Sequence, residues 1–179
     1  SLWDNEGIYG TPRISPDGRR LAVSIQRGDD WDVWVYDIGR DVATRITFGE
    51  RYDADPVWSP DGSQIAFARD GDLWVMNADG TDQRQLMDDP VSACCLDWSP
   101  DGSQIAFLSA RSGNWEIHLV DVATGRERRL TENPAVDVAP AWSPNGRQLA
   151  FLSNRQGSWA IYIMDVGSGA TQRLIATGD

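Results

Sequence analysis

The chain holds very few of the residues from which most enzymes build an active site. Among 179 residues there is one histidine, His118, and there are two cysteines, Cys94 and Cys95. A single histidine supplies no Ser-His-Asp or Cys-His arrangement, and neither a G-x-S-x-G elbow nor a P-loop occurs. The cysteines are adjacent, so in a strand they point to opposite faces and a bond between them would be strained. With one distant histidine they make no zinc site either. No apolar run reaches the roughly 18–20 residues of a membrane helix, and the opening SLWDNEGIYG has neither the basic start nor the apolar stretch of a signal peptide. Positive charge is short as well: 16 Lys and Arg stand against 27 Asp and Glu, for a net charge of −11. Phosphate binding needs clustered cations, so nucleic acid is excluded as an expected partner. The abundant carboxylates would permit a paired-carboxylate glycosidase, but so would those of any acidic protein. The expectation is a protein that is not an enzyme.

What the chain does have is a repeat. SPDG stands at 15–18, 59–62 and 99–102, and SPNG at 143–146, in steps of 44, 40 and 44. The ten letters WSPDGSQIAF occur unchanged at 58–67 and 98–107. Each turn is followed by an apolar burst (RRLAVS, SQIAFA, SQIAFL, RQLAFL), then a second (DVWVYD, DLWVMN, EIHLVD, AIYIMD) and a third (ATRITF, QRQLM, ERRLT, TQRLIA). A fourth precedes each turn: TPRIS, DPVWS, CLDWS and APAWS. Pro sets φ near −65°, Asp bonds the local backbone and Gly accepts positive φ, so the tetrapeptide reads as a tight hairpin. Length varies in one place only, the hairpin between the second and third strands of each unit. Everything else is held to length, as packing against a neighbouring copy requires. With 41% hydrophobic residues, nine Trp and no helical periodicity, the chain is expected to be all-β.

Four-stranded antiparallel units of about 40–45 residues, apolar on both faces, are the pattern of β-propeller blades. One such sheet cannot bury both faces alone, so copies stack. The spacing predicts one domain over 1–179 with four tandem blades at about 11–50, 54–88, 94–132 and 138–176. The Trp before Ser-Pro (Trp58, Trp98, Trp142, with Ile14 in the first unit) is expected at the seam between blades. Residues 1–9 could add an edge strand, although their pattern is poor. The segments DPVWSPDGSQIAFARDGDLWVMNADGTDQRQL and APAWSPNGRQLAFLSNRQGSWAIYIMDVGSGATQRL resemble the TolB-like propeller repeat, over residues 11–175 in four copies. The resemblance implies a bacterial protein, periplasmic or otherwise extracytoplasmic, since such repeats occur in TolB and in propellers attached to peptidases and some kinases. It also implies rings of six to eight blades where this chain has four. A closed four-blade ring, a piece of a longer propeller, and a half-ring completed to eight blades by a second copy are the three readings. The dimer stands first, because an open arc exposes apolar faces.

Alternate turns fall on opposite ends of a blade, so the variable hairpins share one face with the linkers FGERYDAD, DDPVSACC and ENPAVDVA. Loops on a rigid scaffold are where binding concentrates. Two columns stand there. Arg27, Arg69, Arg111 and Arg155 form a partial ring of guanidiniums suited to carboxylates of a protein or peptide partner, or else each closes its own hairpin. Asp53, Asp55 and Asp137 are candidates for a Ca²⁺ site or for docking a basic side chain, or else are strand-entry caps. No cofactor is otherwise expected. His118 aligns with Trp34, Trp74 and Tyr162 and is expected to pack within a strand. The favoured function is a non-catalytic binding scaffold; the alternatives are a gating segment of a larger enzyme and an engineered self-assembling propeller fragment.

Overall fold

A computed structural model of the protein describes residues 8–87 and 94–175. All regular structure among these residues is β. The chain divides into two compact units, Ser1–Asp88 and Asp89–Asp179.

In the first unit, β3 (Arg20–Arg27), β4 (Asp30–Asp37) and β5 (Val42–Arg45) form an antiparallel sheet. Its innermost strand is in two pieces, β1 (Ile8–Tyr9) and β2 (Arg13–Ile14), and both pair with β3. Residues 8–9 therefore prolong the strand that TPRIS begins; they are not a further edge. The second sheet runs β6 (Asp53–Trp58), β7 (Gln64–Arg69), β8 (Asp72–Asn77), β9 (Arg84–Met87). The second unit repeats the scheme. One sheet is β10 (Cys94–Trp98), β11 (Gln104–Ser109), β12 (Glu116–Asp121) and β13 (Glu127–Arg129); the other is β14 (Asp137–Trp142), β15 (Gln148–Ser153), β16 (Ala160–Asp165) and β17 (Thr171–Ile175). Four antiparallel sheets in sequential order are the four blades that the turn spacing predicts.

The SPDG turn holds itself together through its aspartate. The Ser15, Ser59 and Ser99 hydroxyls each donate to the following Asp Oδ1 at 2.6 Å. The same oxygen accepts the backbone N–H of Arg19, Ser63 or Ser103 at 3.0–3.1 Å. These bonds favour the ionised form, the serine hydroxyl most, and hold Asp17, Asp61 and Asp101 below the ordinary carboxylate range. In the last blade Asn145 accepts the same two bonds. Gly18, Gly62, Gly102 and Gly146 follow at φ of 68–73°, which a β-carbon would strain.

Three innermost strands carry a β-bulge at one aligned point, between Ala54 and Val57, Cys94 and Asp97, and Val138 and Ala141. Asp55, Cys95 and Ala139 sit there in the left-handed region, at φ 52–54°. The bulge breaks the ladder where Pro56 and Pro140 lack an N–H to give.

Within each unit the two sheets pack face to face. Ala22, Val33, Val35 and Ile46 of the first sheet meet Trp58, Ile65, Phe67 and Met76 of the second. Ala106, Leu108, Ile117 and Leu119 meet Leu149, Phe151, Tyr162 and Met164 in the second unit. Trp58 is at the seam, as expected: its Nε1 donates to the Arg13 carbonyl at 3.0 Å, and the Arg20 guanidinium lies 4.6 Å from its ring centroid. Ser15 to Ser99 and Ser59 to Ser143 are both steps of 84, so a pair of blades is itself a repeat. Its hydrogen bonds repeat too. Val33 N donates to Thr47 Oγ1 at 2.8 Å, and Ile117 N to Thr131 Oγ1 at 2.9 Å.

Candidate functional site

In each unit the linker between blades is clasped by hairpins from both sides. Trp31, in the β3–β4 hairpin, pairs in parallel with Tyr52 of the linker, their rings 5.5 Å apart. Tyr52 N donates to Asp70 Oδ1 at 3.0 Å, and Asp70 N to the Tyr52 carbonyl at 3.0 Å, which ties in the β7–β8 hairpin. In the second unit Asp137 N donates to the Trp115 carbonyl at 3.0 Å, and Val136 N to Asn154 Oδ1 at 2.9 Å. The hairpins and linkers that the sequence assigns to one face thus touch within each unit.

The two candidate columns turn out to meet one another. Arg69 grips Asp53 with Nε to Oδ1 and Nη2 to Oδ2, both at 2.7 Å, and also reaches Gln83 Oε1 at 3.0 Å. Arg155 donates to Asp137 Oδ2 at 2.9 Å and to Ser153 Oγ at 3.0 Å. Both aspartates are fully buried. Arg111 is ion-paired with Glu127 and lies 3.2 Å from His118 Nδ1. Arg27 lies 4.4 Å over the Trp34 ring, as Arg69 does over Trp74 and Arg155 over Tyr162, both at 4.7 Å. Arg27, Arg69 and Arg155 therefore cover the aromatics of their own third strands, and three of the four arginines, Arg69, Arg111 and Arg155, hold a carboxylate of this chain. Asp55 stands apart, half-buried at the left-handed bulge position. Among the described residues no group of three or more His, Cys, Asp or Glu side chains is placed to hold a metal ion.

Two further buried acids lie beside these pairs. Asp32 meets Arg45 at 2.7 Å. Glu116 Oε1 accepts from Asn114 Nδ2 and Arg129 Nη2 at 3.0 Å, and from Asn133 N at 3.2 Å. Burial raises the Asp32 carboxyl above its ordinary range; Arg45 opposes the shift and the nearby Asp53 charge adds to it. His118 is buried in β12 as expected, 5.4 Å from Phe107, with Nδ1 2.5 Å from Glu127 Oε1.

Sequence reasoning passed over the aromatics of the first linker. Phe48 is 67% exposed and Tyr52 51%, and the Arg45 guanidinium lies 5.1 Å over Phe48. The signal was present in FGERYDAD, which carries two aromatic letters in an otherwise polar stretch. The positions 84 residues on are Glu132 and Val136, so the matching linker of the second unit carries neither aromatic. The first unit also has a cleft of about 460 Å³ at its SPDG end, lined by Arg20, Asp37, Arg40, Val42 and Asp79 among others. Among the described residues no helix is long and apolar enough to cross a membrane.

Comparison with known proteins agrees with this architecture. A curated relative, the Tol-Pal system protein TolB of Anaeromyxobacter dehalogenans, is 40% identical over 93 residues, covering 50% of this chain and 21% of that protein. The uncharacterized peptidase YuxL of Bacillus subtilis is 37% identical over 90 residues, covering 44% of this chain and 14% of that one. The chain thus spans about a fifth or less of these relatives. The crystal structure of TolB from Acinetobacter baumannii superposes with a TM-score of 0.78 at 22% identity, over 94% of this chain and 43% of that one. The family model of the TolB beta propeller domain matches residues 2–87 and 72–179, and the chain belongs to that family.

Proposed function

We propose that the protein is a non-catalytic binding module that recognises a protein or peptide through the hairpin-and-linker face of its first unit. The observation that carries this reading is the pair of exposed linker aromatics Phe48 and Tyr52, the latter resting against the half-buried Trp31, on a backbone clasped from both sides. Large aromatics held rigidly in water are the usual anchors of protein interfaces. Arg51, 3.5 Å from Asp70, and Arg45, over the Phe48 ring and paired with the buried Asp32, set guanidiniums beside these aromatics. A peptide with an apolar anchor next to an acidic residue fits that arrangement. The kinship with Tol-Pal system proteins supports a bacterial, extracytoplasmic setting, and the net charge of −11 supports a partner other than nucleic acid. The arginine and aspartate columns brace the face from within.

The test is selection of random displayed peptides on the immobilised chain, followed by titration of the enriched sequences. Phe48→Ala with Tyr52→Ala is expected to weaken them about tenfold or more, the loss that follows from removing an interface anchor worth about 1.4 kcal/mol. Both side chains are exposed, so the melting temperature should hold. Enriched peptides that bind the double variant equally well would sink the reading.

A further inference from the structure

The cleft at the SPDG end of the first unit has a counterpart in the second, and there an arginine of the chain bridges it. Two alignments fix the correspondence. Thr44 pairs with Val35 across β4 and β5, as Arg128 pairs with Leu119 across β12 and β13. Ala78 N donates to the Ser63 carbonyl at 2.9 Å, as Val166 N does to the Arg147 carbonyl at 3.0 Å. Thr44 therefore stands where Arg128 stands, and Ala78 where Val166 stands. In the second unit Arg128 reaches from one blade to the next, its Nη1 and Nη2 both donating to the Val166 carbonyl at 3.3 Å. In the first unit threonine is too short to make that reach, and alanine is smaller than valine. The opening there has about 460 Å³, within the roughly 300–1,000 Å³ that ligand sites take.

The walls of the opening offer partners to the same kind of group. Val35, Ile46 and the exposed Val42 make them apolar. Of the two guanidiniums that line the cleft, Arg20 is engaged with the second blade, where Nη2 donates to the Gly62 carbonyl at 3.1 Å and the group lies over the Trp58 ring. Arg40, with its side chain 83% exposed, lies 3.8 Å from Asp37. Asp79 follows Ala78, where Gly167 follows Val166 in the second unit. Its Oδ1 accepts the Thr81 hydroxyl at 2.6 Å and the Thr81 N–H at 3.0 Å. These bonds, the hydroxyl most, hold the Asp79 carboxyl below its ordinary range, so it is charged at neutral pH. The first unit thus sets a carboxylate beside the place where the second unit holds a guanidinium.

We propose that this cleft binds an arginine side chain of a partner polypeptide, its stem along Val35, Val42 and Ile46 and its guanidinium between the Ala78 carbonyl and the Asp79 carboxylate. The occupant is inferred from the one that the chain itself supplies at the corresponding place in the second unit. A guanidinium carries five N–H donors in a fixed fork, so it can serve a carbonyl and a carboxylate together. The methylene stem lies along apolar surface while the charged head stays polar. Lysine has the stem but lacks the planar fork. The site is at the SPDG end and includes neither Phe48 nor Tyr52, so it does not rest on the peptide-binding reading of the other face.

The probe is N-acetyl-arginine amide, whose only charge is the guanidinium, titrated into the isotope-labelled intact chain and followed by amide resonances. Saturable shifts at Thr44, Ala78 and Asp79 are expected, with a Kd of about 1 mM, the scale of a single anchoring side chain. Asp79→Asn keeps the oxygen that Thr81 uses and removes the charge, and should weaken the probe about threefold. Thr44→Arg installs the residue of the second unit and should abolish the titration while the circular dichroism spectrum holds. N-acetyl-norleucine amide supplies a stem without the guanidinium and is expected to leave these resonances unmoved. Norleucine amide binding as tightly as the arginine probe would reveal an apolar groove and overturn the proposal. Absence of saturable shifts at the three amides would overturn it too, as would full affinity in either variant.

Discussion

Asp32 and Glu116 stand 84 residues apart at one point of two units with the same strand plan, yet their surroundings differ. In the first unit the buried acids form separate ion pairs, Asp32 with Arg45 and Asp53 with Arg69. In the second they form one network, because Asn133 donates its backbone N–H to Glu116 and its side-chain amide to Asp137 at 2.7 Å. The matching position in the first unit is Gly49, at φ 121°, which has no side chain to give. The second unit uses its linker to join two carboxylates. The first spends no linker side chain there and turns Phe48 and Tyr52 outward. One scaffold thus supports an inward-looking linker in one unit and an outward-looking linker in the other.

The largest test of that contrast is to remove the arginines. Arg69→Ala leaves the fully buried Asp53 without either of its charge-assisted bonds and is expected to cost about 3–5 kcal/mol in urea unfolding. Arg155→Ala should cost about 2 kcal/mol, since Asp137 keeps the Asn133 amide. Equal losses would show that the network does not share its load.

A second contrast lies at His118, whose counterpart is Trp34. Glu127 corresponds to Ala43, which packs beside Trp34. Installing the first unit's pair with His118→Trp and Glu127→Ala together should cost less than the two single changes added, with a coupling of about 1–2 kcal/mol. Tryptophan needs the volume that Glu127 occupies, and Glu127 loses its histidine partner when tryptophan arrives. Strict additivity of the two losses would break this account.

The smallest effect is expected in the turns. Asp61 and Asp101 have folded pKa values lowered by the Ser59 and Ser99 hydroxyls. Their contribution is present above the unfolded value of about 3.9 and is lost as pH falls through the depressed folded value. Asn145 has no such proton. Amide exchange in acid should therefore show the N–H groups of Ser63 and Ser103 losing protection relative to Arg147 N, and Asp61→Asn should make Ser63 follow Arg147. Parallel behaviour of all three in the unmodified chain would refute the assignment.

Much of the fold was legible because its signals are local. Apolar bursts of period two, a Pro-Asp-Gly turn and one hairpin of variable length each act over a few residues, and four copies average out the noise. The candidate site was legible only in its place. The Arg and Asp columns were visible as columns, but not that Asp53 meets Arg69 across 16 residues or that Asp137 meets Arg155 across 18. Such partnerships depend on cross-strand register and on a bulge at Asp55 and Ala139, where the extra residue re-aims the side chains on its far side from the SPDG turn, Asp53 and Asp137 among them.

By itself the sequence determined the all-β blades, their order, their turns and the single place where length is free, since each rests on steric and hydrogen-bonding rules within one unit. Only the tertiary structure decided which charges cancel and which aromatics remain in water. Those outcomes depend on what a neighbouring strand or blade sets opposite each side chain, and a repeat spells out the same letters whether or not a neighbour is there.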